Sequence, residues 1–322
     1  MITPLIRRAA AVLALTLAGT AFAAYPDKPI RVVIGFPAGG PLDQHARLLA
    51  DRLGAVLGQP IIIDYKAGAG GTVGAQEVMR APADGYTLML ANTGVMVINP
   101  ALYSKLPYQT LRDFTPIART AMQPLALMVN PNVPVKTLPE FIAYAKTRPG
   151  QINYGSAGNG GISHLVPEMF KSATGLFMVH IPYRGSAPAF TDLMAGQVQF
   201  MAESIPQAAA YHKQGKVRAL AVTSRERNPA LPDTPTVMES GLKDFEVVGF
   251  YGFLAPANLP KDITAKLSDA FRQVLATPDI RNRMTSQGAD PAFMGSEDFS
   301  KFLAAEMPKW ATAVTKSGAK LD

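Results

Sequence analysis

The residues able to do chemistry are sparse in this chain, and most of them are neutral. There is no cysteine, which excludes disulfides, thiolate metal sites and thiol nucleophiles. The four histidines, at 45, 164, 180 and 212, have no ligand-like spacing, so no metal and no cofactor is expected. Ser156 lies in "YGSAGNGG", where a nucleophile elbow would need glycine at both 154 and 158; position 154 is tyrosine. A hydrolase would also need a base within reach of Ser156, and nothing in the sequence advertises one.

What recurs is a glycine-bearing joint between an apolar run and a helical pattern. The joints are "FPAGGPLD" (36–43), "GSAGNGGIS" (155–163) and "RGSAP" (184–188). Free backbone N–H groups at a helix start, preceded by flexible glycines, suit a carboxylate or phosphate. The first joint equally suits a tight turn, with Asp43 as a first-turn acid stabilised by the helix dipole. Arg184 suits an ion pair with a ligand carboxylate, or a solvated surface position. Gly185 and Ser186 offer backbone and hydroxyl donors. A fourth glycine stretch, "AGAGGTVGAQEV" (67–78), carries Val73 where a dinucleotide fingerprint needs glycine, and it lacks the Gly-Lys-Ser/Thr of a phosphate loop. A turn is expected there.

The elements that must position these joints alternate along the chain. Strands are expected at Ile30–Phe36, Pro60–Asp64, Thr87–Ala91, Leu125–Val129, Ile152–Tyr154, Met178–Ile181, Val198–Ala202, Arg218–Val222 and Val248–Ala255. The first helix carries Leu42, Ala46, Leu49, Leu53, Val56 and Leu57 on one face. Further helices are expected at Gly74–Arg80, Pro139–Thr147, Ser163–Thr174, Ser186–Gly196 and Pro206–Gln214, with Ser163 and Ser186 as capping serines. The tail from Lys261 to about Lys316 reads as wholly helical. Short buried strands alternating with helices indicate α/β units on mostly parallel sheets. Each joint then lies at the carboxyl end of a strand, where open α/β sheets bind ligands. Such a site supplies neutral donors and little titratable chemistry, which suits binding more than catalysis.

With 322 residues, 48% of them hydrophobic, the chain is long enough for two domains. Pro-rich joints at 129–139, 228–237 and 255–260 mark crossings between them. The net charge of +7 is dispersed, and no basic run is interleaved with aromatics, so nucleic acid is not an expected partner. The N-terminus reads "MITPLIRR", then the apolar "AAAVLALTLAGT", then "AFA" at 21–23: charge, short apolar run, small residues. That is the layout of a secretory signal cleaved near Ala23, and it predicts export to the periplasm. The apolar run is too short to span a bilayer, which needs ~20 residues.

Taken in order, "YPDKPIRVVIGFPAGGPLDQHARLLADRLG", "GAGGTVGAQEV", "DGYTLML", "SAGNGGISHL", "IPYRGSAPAFTDLMAGQV", "GKVRALAVTS", "LPDTPTVMESGL" and "GFLAPANLP" resemble the Bug-type extracytoplasmic solute-binding proteins of tripartite tricarboxylate transporters. The resemblance runs from Tyr25 to the end of the chain. It implies an α/β, type II periplasmic-binding-protein fold: two lobes, two crossover strands and a ligand cleft. Lobe 1 would be 25–124 plus 250–322, and lobe 2 125–249. It implies a small organic acid as ligand, delivered by a monomeric receptor to membrane permease subunits, with no catalysis. The ligand carboxylate would sit between Phe36, Ala38, Gly39, Gly40 and Asp43 on one side and Ser156, Gly158, Asn159, Arg184, Gly185 and Ser186 on the other. Asn92, Thr93, Glu203 and Ser204 would line the distal end. A buried Glu203 there would disfavour a second bare carboxylate and favour an amine, amide or hydroxyl. Where the family often reads Glu-Asn-Arg-Pro, this chain reads Asp64-Tyr65-Lys66-Ala67. A hydrolase or a ligand sensor on the same scaffold is the alternative reading.

Overall fold

The computed structural model describes residues 25–319; the signal-like segment lies outside them. The chain opens with strand β1 (Ile30–Ile34), helix α1 (Pro41–Leu57), β2 (Ile61–Tyr65), α2 (Thr72–Met79) and β3 (Thr87–Asn92). β1 pairs in parallel with both β2 and β3, and its side chains are almost wholly buried, as a central parallel strand requires. α1 starts on Pro41 and stops at Gly58, whose left-handed backbone lets its N–H bond the Gly54 carbonyl. The stripe Leu42, Ala46, Leu49, Leu53 and Leu57 faces the core. Gly35 and Gly74 meet backbone to backbone: a Cβ on Gly35 would lie 2.6 Å from the Gly71 Cα. The glycines of 68–74 therefore let a short 3-10 turn and α2 pack directly on the end of β1.

After two short helices, α3 (Asn99–Leu102) and α4 (Thr110–Asp113), comes β4 (Phe114–Val129). It is far longer than the expected Leu125–Val129. Pro116 and Pro124 lie inside it, and its register against β9 (Val248–Pro256) shifts beside Pro116, as a residue with no N–H demands. Those prolines hid the strand's first two thirds from a pattern reading. The rest of the chain adds α5 (Leu138–Lys146), β5 (Asn153–Ser156), α6 (Ile162–Thr174), β6 (Val179–Pro182), α7 (Ser186–Ala195), β7 (Phe200–Ser204), α8 (Ile205–Lys213) and β8 (Arg218–Val222).

The strand order is β2-β1-β3-β9-β4-β7-β5-β6, with β8 also on β4. β1, β2 and β3 are parallel, as are β5, β6 and β7; β4 and β9 run antiparallel to their neighbours. β4 belongs to both halves. It pairs with β9 through Pro124 and with β7 from Leu125 onward. A hydrophobic core follows it across, with Phe141, Phe170 and Phe200 on one side and Phe250, Phe299 and Trp310 on the other.

Three sequence expectations are corrected. The tail is not wholly helical. α9 (Lys261–Ala276) and α10 (Pro278–Ser286) are followed by β10 (Asp290–Gly295), antiparallel to β4, and then α11 (Ser296–Ser317). Gly288 and Pro291 break the helical pattern, and the residues of β10, all half-buried, give no alternation to read. Ser163 does not cap α6; Gly161 does, and the Ser163 hydroxyl accepts from the Ala157 N–H at 3.0 Å. Ser186 is the first residue of α7 and Gly185 is its cap; the Ser186 hydroxyl instead donates to Glu203.

Candidate ligand cleft

The first joint leaves β1 at Ile34 and enters α1 at Pro41. Gly39 takes a left-handed φ of +86°, and its N–H donates to Asp43 Oδ2 at 2.7 Å. Asp43 is buried, at 3% exposure. Its other oxygen accepts from Arg47 Nε at 2.8 Å and from the Tyr65 hydroxyl at 2.6 Å. Burial pushes its carboxyl up. The Tyr65 hydroxyl, the Gly39 amide and the Arg47 guanidinium together outweigh that and hold it below the usual carboxylate range.

At the end of β3, Asn92 Oδ1 accepts the Val95 N–H at 3.1 Å, which leaves its amide nitrogen to project. Thr93 Oγ1 accepts the Phe250 N–H at 2.7 Å, which ties this end of β3 to β9.

The second joint leaves β5. Ser156 is fully buried, and its Oγ lies 2.6 Å from His180 Nε2. His180 stacks on His164 at 3.8 Å, and His164 Nδ1 accepts the Gly160 N–H at 3.1 Å. Burial, then the adjacent His164 and Lys171, push His180 down to about 3, so its ring is neutral. A base therefore does stand in reach of Ser156. Among the described residues no carboxylate bonds His180, and the serine hydroxyl is closed off from solvent.

At the third joint the Gly185 N–H donates to the Ala157 carbonyl at 3.2 Å, so the second and third joints form one unit. Ser186 Oγ donates to Glu203 Oε2 at 2.6 Å, and Glu203 Oε1 accepts the Ser204 N–H at 2.9 Å. Burial raises the Glu203 carboxyl, only partly offset by these two donors. Arg184 is exposed.

The first and second joints face one another across a cavity of about 200 Å³, and the third joint contributes no residue to its wall. Phe36, Asn92 and Thr93 line it from one side and Asn159 from the other, so the fold brings together four of the expected residues. Ala38, Gly39, Gly40, Asp43, Ser156, Gly158, Arg184, Gly185, Ser186, Glu203 and Ser204 lie on the adjoining loops and strand ends rather than in its wall. The wall also contains Gly70, Asn99, Tyr103, Gln123, Gly161, Ile162 and Gly249, which sequence reasoning missed. Gly70 stood in a stretch read as a turn. Gln123 and Gly249 belong to the crossing pair β4 and β9, where no motif marks them. α6 points its N-terminus at the cavity through Gly160, Gly161 and Ile162, with no acid in its first turn.

Among the described residues, no carboxylate, ammonium, guanidinium or imidazole lines this space. Its walls present carboxamides, a phenol, a hydroxyl and backbone amides. Such groups hold an anion by hydrogen bonds and leave little capacity for proton transfer. A larger cavity, about 560 Å³, lies between α6, residues 244–247 and α11. Its lysines are engaged: Lys316 with the Ser172 hydroxyl, Lys309 with the Glu246 carbonyl and Glu306. Among the described residues no helix is long and apolar enough to cross a membrane, and no cluster of His, Asp or Glu is arranged to hold a metal ion.

Comparison with known proteins gives this arrangement its context. Residues 45–319 match the model of the tripartite tricarboxylate transporter family receptor. The periplasmic binding protein BugD is 36% identical, with a TM-score of 0.76 over 92% of this chain and 99% of its own. Rpa4515 of R. palustris, solved with adipate, is 32% identical, with a TM-score of 0.80 over 92% of this chain and 100% of its own. MatC (Rpa3494) of Rhodopseudomonas palustris, solved with bound malate, is 34% identical, with a TM-score of 0.75 over 90% of this chain and 100% of its own. The paired joints, the shared crossing strands and these matches lead to one conclusion: the chain is a Bug-type solute-binding protein and belongs to the tripartite tricarboxylate transporter receptor family.

Proposed function

We propose that this receptor captures a small carboxylate in the 200 Å³ cavity and delivers it to a tripartite tricarboxylate-type membrane permease. The observation that carries the reading is the uncharged, amide-rich wall where loops from the two halves of the fold converge. One carboxylate would sit near Phe36, Ala38, Gly39 and Gly40, opposite Gly158, Asn159 and the start of α6. Asn92 and Thr93, together with Gln123, would meet the remainder of the ligand. Two relatives solved with adipate and malate support an organic acid of this size. The lobes would be 25–124 plus 250–322 and 125–249, hinged where β4 and β9 cross. The receptor would act as a monomer in the periplasm after loss of residues 1–23.

The test is a thermal-shift screen of residues 24–322 against mono-, di- and tricarboxylates and aromatic acids. A ligand with Kd near 1 μM, about −8 kcal/mol, raises the melting temperature in a concentration-dependent way. Silence across the panel overturns the reading.

The Ser156–His180 pair favours one second reading, a hydrolase on the same scaffold. Ester turnover that disappears in Ser156→Ala would establish it; turnover unchanged by that substitution, or no turnover, would remove it.

A further inference from the structure

Asp43 is the acid nearest the first glycine joint, yet both of its oxygens are occupied from within the protein. Oδ2 takes the Gly39 N–H at 2.7 Å. Oδ1 takes Arg47 Nε at 2.8 Å and the Tyr65 hydroxyl at 2.6 Å. Arg47 Nη2 also donates to the Tyr65 oxygen at 2.6 Å, so the three side chains close a ring. The ring joins two elements, α1 and β2. Asp43 and Arg47 are one turn apart on α1, and Tyr65 is the last residue of β2, in register with Ile34 at the end of β1. The loop between Ile34 and Pro41 is thereby held at both ends and, through Gly39, in its middle.

We infer that Tyr65 and Arg47 are positioning residues for ligand capture, acting through Asp43 to fix the 36–40 loop, and that Asp43 itself is not a ligand contact. This rests on the reading that the loop holds a carboxylate.

Two physical reasons support it. A carboxylate so close to an anion site would repel the ligand, and the Arg47 guanidinium at 2.8 Å opposes that charge. Gly39, at φ +86°, is a residue with many backbone conformations open to it, and its N–H bond to Asp43 restrains the loop at that point. A hydrogen bond to a charged acceptor is the strongest local restraint the loop has. Without Tyr65, Asp43 Oδ1 is held only by the exposed Arg47 side chain, so the carboxylate turns more readily and Oδ2 can leave Gly39. Without Arg47, the acid stays but its charge is uncompensated.

The experiment titrates malate and adipate into wild type, Tyr65→Phe, Arg47→Gln, Asp43→Asn and the Tyr65→Phe/Asp43→Asn pair by calorimetry between pH 4 and 8. It proceeds with the acid that wild type binds more tightly. Loss of one charge-assisted hydrogen bond predicts about tenfold weaker binding in Tyr65→Phe. Removing the hydroxyl also removes a group that holds the Asp43 carboxyl low. The acid-side loss of affinity then moves to higher pH in Tyr65→Phe, while the ligand's own titration is common to every variant. Adding Tyr65→Phe to Asp43→Asn should weaken binding little further. In the ligand-free protein, the Gly39 amide should exchange faster with solvent in Tyr65→Phe than in wild type.

Wild-type affinity and an unmoved acid limb in Tyr65→Phe, or weaker binding by the same factor at every pH, overturns the inference and leaves the carboxylate reading standing. Failure of wild type to bind any acid of the thermal-shift panel, with Gly39 exchange unchanged in Tyr65→Phe, overturns both. Faster Gly39 exchange without binding overturns the carboxylate reading alone and keeps the positioning of the loop.

Discussion

The imidazole rings of His164 and His180 stack 3.8 Å apart and 8° from parallel, beneath the loop that carries Asn159 and Gly160 into the cleft. His164 holds the Gly160 N–H and His180 holds Ser156, so the stack is the seat of the second glycine joint. Two imidazolium ions at that distance would repel strongly. Burial lowers both pKa values, and that of His45, which is pushed down to about 3 by burial alone.

A pH dependence of stability follows, with its sign fixed by those directions. A histidine whose folded pKa lies below its unfolded value stays neutral in the fold while the unfolded chain takes up a proton. Its contribution is intact above about pH 6.5 and is lost as pH falls toward about 3. His45 is 2% exposed, so it contributes a slope of up to about 1.4 kcal/mol per pH unit within that window. Urea unfolding at pH 7, 5.5 and 4.5 should show a shallower fall for His45→Phe than for wild type. Parallel curves would contradict the assignment.

Gly39→Val should abolish capture while leaving the fold in place. The new Cβ meets nothing within 4 Å, so no core packing is lost. The φ of +86° is strained for a β-branched residue by roughly 1–2 kcal/mol, and the loop relaxes away from it. We expect affinity to fall at least tenfold with a melting temperature within a few degrees of wild type. Retained affinity would mean that this joint is only a turn.

Glu203→Gln should stabilise the protein at neutral pH. The Glu203 carboxyl is buried, and its pKa is raised by that burial more than the Ser186 and Ser204 donors lower it. A raised acid binds a proton in the fold before the unfolded chain does, so its charge costs stability as pH rises above its ordinary value. Glutamine keeps an oxygen for the Ser204 N–H, its amide donates to the Ser186 hydroxyl, which turns to accept, and the charge is gone. A gain on the order of 1 kcal/mol at pH 7.5, shrinking toward pH 4.5, is expected in denaturant titrations. Since Glu203 does not line the cavity, ligand selectivity should be unchanged.

Gln123→Leu should weaken ligand binding severalfold, and it also takes a hydrogen bond from the buried Tyr251 hydroxyl. Gln123 sits on the crossing strand β4 and reaches the cavity from the hinge side, where leucine can replace its bulk but not its amide. Equal affinity in calorimetry would place the ligand elsewhere in the cleft.

How much of this was legible in the sequence depends on whether a local pattern carried it. α1 was readable because Leu42, Ala46, Leu49 and Leu53 repeat on one face and Pro41 and Gly58 mark its ends. The joints were readable because glycines fall where strand pattern gives way to helix pattern. β10 was not, since its residues are all half-exposed and its pairing with β4 is a tertiary event. Gln123 and Gly249 were invisible for the same reason: they reach the cavity only because β4 and β9 cross beneath it. The Ser156–His180 contact joins residues 24 apart on adjacent parallel strands, a register that sequence spacing does not encode.

The central claim is that an uncharged cavity holds a carboxylate by hydrogen bonds alone. Its most direct test is a calorimetric comparison, on residues 24–322, of the best-bound acid with its own primary amide. Neutral donors aimed at an anion make charge-assisted hydrogen bonds, and losing two of them is worth roughly 100-fold in affinity. The account predicts that the acid binds at least that much more tightly than the amide. Equal binding of acid and amide would contradict it.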